Sequence, residues 1–478
     1  MSIPTTQERP DSVRLPTFSS ARKLYDSLLL YGDTPQQYAC LHDFLETHLA
    51  AVNAGDGIRA LALPRTLPEL LHWTAQKQAA VHEQYQHYLS ERKAGAPRRF
   101  FHTRSHALYF LRAVAPTKLV DGSWLYSSVL GGFGSSAAHL IRTYFEELGD
   151  GDVSKNHVGL YRQLLAANGA EQWRTLGDEL FVQGAVQLAL GFSGTKLIPE
   201  VIGFNLGYEQ LPLHLLITAH ELDELGIDPY YFSLHITVDN LDTGHARRAC
   251  EAACEGALDF SGDNDTYWSR VAAGYLLNDV GSGTVSVIEN FDLQEEMLDF
   301  LTRKAAVGQG AHSDYCRIEG HTVNEWLARP GRIGEFVGAL ERHGWIRRGQ
   351  EPEESPFWRL LIGDRAKMFG VFSDYELQVV FDWIRGSAAV DGRPYSCPSG
   401  VPLYAHRVTE RRQSPALLAA TDPAAEAQAE SALLKELRQL PENSRWEMLT
   451  KAISPQHHWT ARGRAATRLW LKTRVTQT

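Results

Sequence analysis

LPELLHWTAQKQAAVHEQYQHYLSERKAG, residues 67–95, decides the fold class. Its apolar side chains recur at spacings of three and four, the period of one helix face, and there is no alternation of the kind a half-buried strand needs. DTYWSRVAAGYLLND, residues 265–279, repeats the pattern. Between and around such runs stand the breakers Ala96-Pro97, Gly131-Gly132, Gly149 to Gly151, Asn168-Gly169, Gly226 and Gly281 to Gly283, spaced for helices of ordinary globular length. The expectation is an all-α protein built as a helical bundle.

Composition sets the outer bounds. A chain of 478 residues with 44% hydrophobic content can bury large cores, and 47 Lys+Arg against 57 Asp+Glu leave a net charge of -10. That balance gives no chain-wide electrostatic footprint for nucleic acid. Cys40, Cys250, Cys254, Cys316 and Cys397 are few and odd in number, so they form no disulfide framework and point to a reducing compartment. The opening MSIPTTQERPDSVRLPTFSS lacks the basic start and apolar run of a secretory signal, and no apolar run reaches the ~18 residues of a membrane helix. A soluble, cytoplasmic protein with no membrane partner is expected.

The chemistry concentrates in HITVDNLDTGH, residues 235–245, where two histidines and two aspartates of a metal-ligand type fall within one short stretch. If 231–246 is one helix, Asp239 lies about 40° and Asp242 about 20° from His235, on one face. His245 falls about 80° to the other side and joins them only through a distortion near Thr243-Gly244, the kind of irregularity frequent at functional sites.

Two further clusters lie upstream. In YFEELGDGDVSKNH, Glu146 and Glu147 end one helical pattern and His157 opens the next, with Ser154 as its expected N-cap. In LIPEVIGFNLGYEQLPLHLL, Glu200 and Glu209 sit in an apolar helix, where a carboxylate needs a partner. Taken singly, each cluster is more often a set of caps, solvated carboxylates and satisfied core histidines. Together they fit the way helix bundles gather inward Glu and His residues around a dinuclear metal site.

PEVIGFNLGYEQ, ELDELGIDPYYFSLHITVDNLDTGH and ELGDGDVSKNHVGLYRQLL together resemble the heme-oxygenase-like diiron oxidases and oxygenases, the iron-containing redox enzymes, over roughly residues 100–280. The resemblance implies a heme-oxygenase-like helical bundle that binds no haem and holds two irons. It carries over Glu147 and His157 across the Gly-rich turn, Glu209 from the central helix, and His235 with Asp239 from the late His-x-x-x-Asp motif. The family's last histidine commonly follows three residues after that aspartate, where this chain has Asp242 and offers His245 instead. The expected metal ligands are Glu147, His157, Glu209, His235, Asp239 and His245. Asp121, in LVDGSWLYS, reads equally well as an earlier carboxylate ligand and as the N-cap of the next helix, and is left outside that set.

Three regions follow from these readings: an N-terminal helical region at 1–99, the bundle core at 100–285, and a mainly helical C-terminal accessory region at 286–478. The implied function is O2-dependent oxidation, by desaturation, N-oxygenation or C–C cleavage, of a small amino acid or related carboxylic acid in specialised biosynthesis. O2 is the co-substrate, an external electron donor is compatible with it, and a homodimer is expected. Trp124, Tyr126, Phe204, Tyr208, Tyr230 and Phe232 are candidate pocket residues, and Arg142 is a candidate carboxylate partner that reads more readily as a surface arginine. A metal-free or cofactor-assisted oxidase on the same bundle is the rival enzyme. From another class comes a helical nucleic-acid binder using 290–400, where Arg329, Arg332, Arg342, Arg347 and Arg348 suit phosphates in number. Glu335, Glu341, Glu351, Glu353 and Glu354 dilute that charge. The basic ending WTARGRAATRLWLKTRVTQT is expected to dock its Trp and Leu residues on the body.

Overall fold

Both sequence runs that set the fold class are helices, Leu67–Lys93 and Asn264–Leu276. The computed structural model describes residues 20–475 apart from 33, 132–133, 243, 309, 313, 363–366, 369 and 387–421. Nearly all of the N-terminal stretch read for a signal, Gly132, Thr243, Cys397 and residues 415–421 lie outside the described residues. Among the described residues the only strand pairing is a short antiparallel ribbon, with Arg317 opposite Thr322 and Ile318 opposite His321. No helix among them is long and apolar enough to cross a membrane.

Leu67–Lys93 carries Glu69 in its first turn and Arg92 and Lys93 in its last, complementing the helix dipole. It packs on Leu213–Glu224 and His245–Asp259. The hydroxyl of Tyr88 donates to Glu221 at 2.8 Å, and the same carboxylate accepts from the backbone N–H of Phe100 and Phe101. Glu221 is therefore a buried carboxylate fully satisfied by the fold.

The helices that frame the interior approach unusually closely. Ile198–Tyr208 and Asn264–Leu276 cross at two glycines, where a Cβ on Gly203 would stand 1.9 Å from the Val271 carbonyl oxygen and one on Gly274 would stand 2.1 Å from that of Glu200. Only glycine lets the two backbones touch there. The contact fixes Ile198–Tyr208 deep in the bundle, with Glu209 as its C-cap.

The C-terminal part is fastened to this core. Leu293–Gly308 and Asp374–Arg385 pack together, and each reaches Arg104–Ala113: Arg112 pairs with Glu296 at 2.8 Å, and the Ser105 N–H donates to Asp382 at 2.8 Å. Pro423–Gln439 and Ala461–Val475 pack as a pair, and the latter lies over the Gly149–Gly151 turn. Trp470 is buried with its ring 4.5 Å from that of Phe145, as expected of a docked terminal helix. Arg464 and Arg468 of the basic ending pair with Glu426 and Glu430. Within 290–400, Arg332 pairs with Glu335 and Arg342 with Glu319, so these two cations are neutralised locally.

Candidate metal centre

The centre forms where helices end. Glu147 is the last residue of Ala137–Glu147, His157 the first of His157–Ala167, and His245 the first of His245–Asp259. Glu209 and Asp239 are the C-caps of Ile198–Tyr208 and Tyr230–Val238, and His235 projects from the last turn of the latter. Asp121 lies in the turn between Ala115–Lys118 and Ser123–Leu125. All seven are buried, none more than 6% exposed.

Two of the local readings from sequence are corrected here. The stretch 231–246 is not one helix: Tyr230–Val238 stops, the chain turns, and a new helix starts at His245. The Asn240 side chain organises the turn by accepting from the N–H of Asp242 and Gly244. A Cβ on Gly244 would stand 2.2 Å from the Val238 carbonyl oxygen, so glycine permits the reversal. Asp242 is thereby exposed, while His245 is turned inward. The second correction concerns the N-cap of His157–Ala167, which is Asn156, accepting from the Gly159 N–H at 2.8 Å. Ser154 instead donates to Asp152.

Two clusters result, and Glu147 belongs to both. In the first, Glu147 Oε2 lies 2.5 Å from His157 Nδ1, and Asp121 Oδ2 lies 3.1 Å from His235 Nε2 and 3.9 Å from His157 Nδ1. In the second, His245 Nδ1 faces three carboxylates: Glu209 Oε2 at 3.0 Å, Asp239 Oδ1 at 3.2 Å and Glu147 Oε1 at 3.3 Å. The two oxygens of Glu147 thus face different imidazoles. That is the disposition of a carboxylate able to bridge two ions.

Hydrogen bonds outside the clusters set the imidazole tautomers. His235 Nδ1–H donates to the Tyr231 carbonyl oxygen at 2.8 Å, leaving Nε2 to face Asp121. His245 Nε2–H donates to Glu146 at 2.9 Å, leaving Nδ1 to face the three carboxylates. Glu146 is held in turn by Arg248 and Arg142. A ring nitrogen fixed by an outer acceptor while the other points inward is the pattern of a metal-ligating histidine.

The inner atoms are short of partners. Glu147 Oε2, His157 Nδ1, Glu209 Oε1 and Asp239 Oδ1 are buried and make no hydrogen bond. Burying polar atoms unpaired costs on the order of 1–3 kcal/mol each, so four in one place need an occupant. The charges agree with this. Burial, with the nearby Asp121 charge, pushes the Glu147 carboxyl up to about 8. Burial also raises Glu209 to about 8 against the opposing pull of His245. His157 is lowered to about 4 by burial, whereas His245, despite burial, is held well above its ordinary range by Glu209, Asp239 and Glu146. Asp121 sits well below the carboxylate range: burial pushes it up, but Lys118, His235 and His157 outweigh that. Four carboxylates and three imidazoles, if fully deprotonated, carry a formal charge that two divalent cations would cancel. The donor set fits iron.

Other sequence candidates fall elsewhere. Glu200 is paired with Arg270 on the far side of its helix. Arg142 pairs with Glu146 and Asp150 and is a surface arginine. Of the aromatic residues, Tyr208 reaches Asp121 through a 2.8 Å hydrogen bond and stacks near Trp124, which packs on Phe204. Tyr231, absent from the sequence candidates, donates to the other Asp121 oxygen. Phe232 packs on Phe110, Tyr126 lies against Phe192 and Tyr144, and Tyr230 is largely exposed. Asp121 caps no helix. Its signal in the sequence was only an aspartate before a glycine, and its hydrogen-bond partners Tyr208, Tyr231 and His235 lie 87 or more positions away.

Residues 108–279 match the family of iron-containing redox enzymes. All seven cluster residues fall inside the matched stretch, which is similar to the heme-oxygenase-like iron redox domain. No curated protein and no solved structure matches the chain. The C-terminal helix Ala461–Val475, which covers the turn between Glu147 and His157, lies outside the matched residues.

Proposed function

We propose that the protein is an O2-dependent non-haem diiron oxidase or oxygenase acting on a small amino acid or related carboxylic acid. The observation that carries this reading is Glu147, whose two oxygens face separate His/carboxylate sets within one buried pocket. Asp121, Glu147, His157 and His235 would hold one iron, and Glu147, Glu209, Asp239 and His245 the other. Bound ferrous iron supplies the capacity to bind and reduce O2.

The remaining work is done by the chain. Burial keeps bulk water from the centre, while Tyr231 and Glu146 fix the ring orientations of His235 and His245 from outside. Tyr208 and Tyr231 hold Asp121 by hydrogen bonds to its two oxygens, one each. The test is anaerobic reconstitution with ferrous iron, with metal analysis and optical spectra before and after O2. Two irons per chain and an O2-dependent spectral change support the reading; one iron or none overturns the diiron assignment.

A further inference from the structure

Resting on that reading, we propose that Lys118 is the anchor for a carboxylate of the substrate, on the Tyr208–Asp121 side of the centre, where this cation has no acidic partner among the described residues. The arginines near the other side are neutralised: Arg248 by Glu146, and Arg142 by Glu146 and Asp150. Lys118 is half-buried, and its Nζ donates to the Tyr208 hydroxyl at 3.0 Å. Among the described residues no carboxylate lies within ion-pair distance of it. Tyr208 in turn donates to Asp121 at 2.8 Å, so a single chain of hydrogen bonds runs from the ammonium to the metal cluster.

The surroundings suit an anionic head group. Tyr208 and the stretch Leu211 to His214 beside it keep some exposed surface, in contrast with the seven buried cluster residues, so this side lies nearer the solvent. Burial and the Lys118 charge lower His214 to about 4, leaving it neutral and available for hydrogen bonding. Gln187, wholly buried, lies against the Tyr208 hydroxyl, and its amide oxygen has no hydrogen-bond partner. A buried amide oxygen left unpaired is an unsatisfied recognition group. Once two divalent cations balance the four carboxylates, the Lys118 charge is left over, and a monoanion is the ligand that cancels it. Small-molecule sites fix orientation through such a charged residue and a few polar groups.

The experiment uses the full chain loaded with Co(II), whose visible absorption reports on the metal surroundings, titrated with hexanoate, L-norleucine and hexylamine. Metal analysis of each variant comes first, because loss of metal from the wild-type protein would count against the diiron reading, independently of Lys118. Hexanoate or norleucine is expected to perturb the spectrum of the wild-type protein, and hexylamine is not. Lys118→Met should weaken carboxylate binding at least tenfold with metal content unchanged, and Lys118→Arg should restore most of it. Norleucine binding at least tenfold tighter than hexanoate identifies an amino acid as the substrate class; equal binding identifies a plain carboxylic acid. Equal affinities in wild type and Lys118→Met, or no response to either carboxylate in the loaded wild-type protein, overturns the assignment.

Discussion

Glu147 Oε2 lies 2.5 Å from His157 Nδ1 across the Gly149–Gly151 turn, while its other oxygen faces His245 3.3 Å away on a different helix. One side chain therefore connects both halves of the centre. Glu147→Gln should reduce iron content from two per chain to fewer than one, because a neutral amide serves neither half as a bridging anion. Glu209→Gln removes a carboxylate from the second half alone and should leave about one iron. Metal analysis with circular dichroism, which should show unchanged helicity, distinguishes these outcomes.

Gly122 adopts φ 76° beside Asp121, and a Cβ there would stand 2.8 Å from the Cβ of Glu147. Gly122→Ala combines a left-handed backbone with a clash against the bridging carboxylate. The expected cost is about 1–3 kcal/mol in denaturant melts of the metal-free protein. Iron content should fall as well, since the clash acts on a ligand. A variant that keeps two irons and full stability would show that the turn can relax.

Glu200 provides the contrast. Its carboxylate is bound by Arg270 through two hydrogen bonds and faces away from the centre. Glu200→Gln should retain two irons while losing about 1–3 kcal/mol of stability as the charge-assisted bonds weaken. Iron loss in this variant at preserved fold would contradict the placement of the centre.

Much of this was legible in the sequence, for identifiable physical reasons. Helical periodicity in 67–95 and 265–279 is a local property, so the helices appear where the spacing places them. Glu147 and His157 could be paired because only a glycine turn separates them. The arrangement of 235–245 could not be settled by angular arithmetic, which assumes a continuous helix. Asn240 and Gly244 instead form a reversal that turns Asp242 outward and His245 inward. Asp121 was left open, and Tyr231 unnoticed, for another reason: their contact joins segments 110 residues apart. Of Glu200 and Glu209, nine residues apart on one apolar run, the resemblance points to Glu209, and the structure gives Glu200 its own partner in Arg270.

His106 should make the fold acid-sensitive independently of the metal centre. Its ring stacks on Phe291 with centroids 4.5 Å apart, and Nε2–H donates to the Ile288 carbonyl oxygen at 2.8 Å. Burial lowers its pKa from 6.5 to about 4, with His102 nearby acting in the same direction and the Ile288 carbonyl opposing. The unfolded chain therefore binds a proton from about pH 6.5 downward, where the folded chain does not. Stability from this residue is complete above that pH and declines as pH falls toward 4, by up to ~3 kcal/mol. His106→Gln keeps a hydrogen-bond donor and removes the titration. Urea melts at pH 7.5 and pH 5 should show a smaller difference for this variant than for the wild type; an unchanged difference would assign the acid sensitivity elsewhere.

Trp470 tests whether the C-terminal helices support the centre they cover. Its ring packs 4.5 Å from Phe145, two residues before Glu147, and 5.7 Å from Trp446. From the same helix Arg468 donates to the Gly151 carbonyl oxygen at 2.7 Å, in the turn leading to His157. Asn156, the N-cap of the His157 helix, also contacts buried His458 at 3.2 Å. Trp470→Ala opens a large cavity against the Glu147 helix and should cost about 3–5 kcal/mol. If the C-terminal helices position the turn, iron should bind more weakly as well, seen as faster loss to a chelator at a temperature where the variant remains folded. Trp470→Phe keeps an aromatic ring against Phe145 and should recover most of both properties. Loss of stability with unchanged chelation kinetics would limit these helices to a structural role.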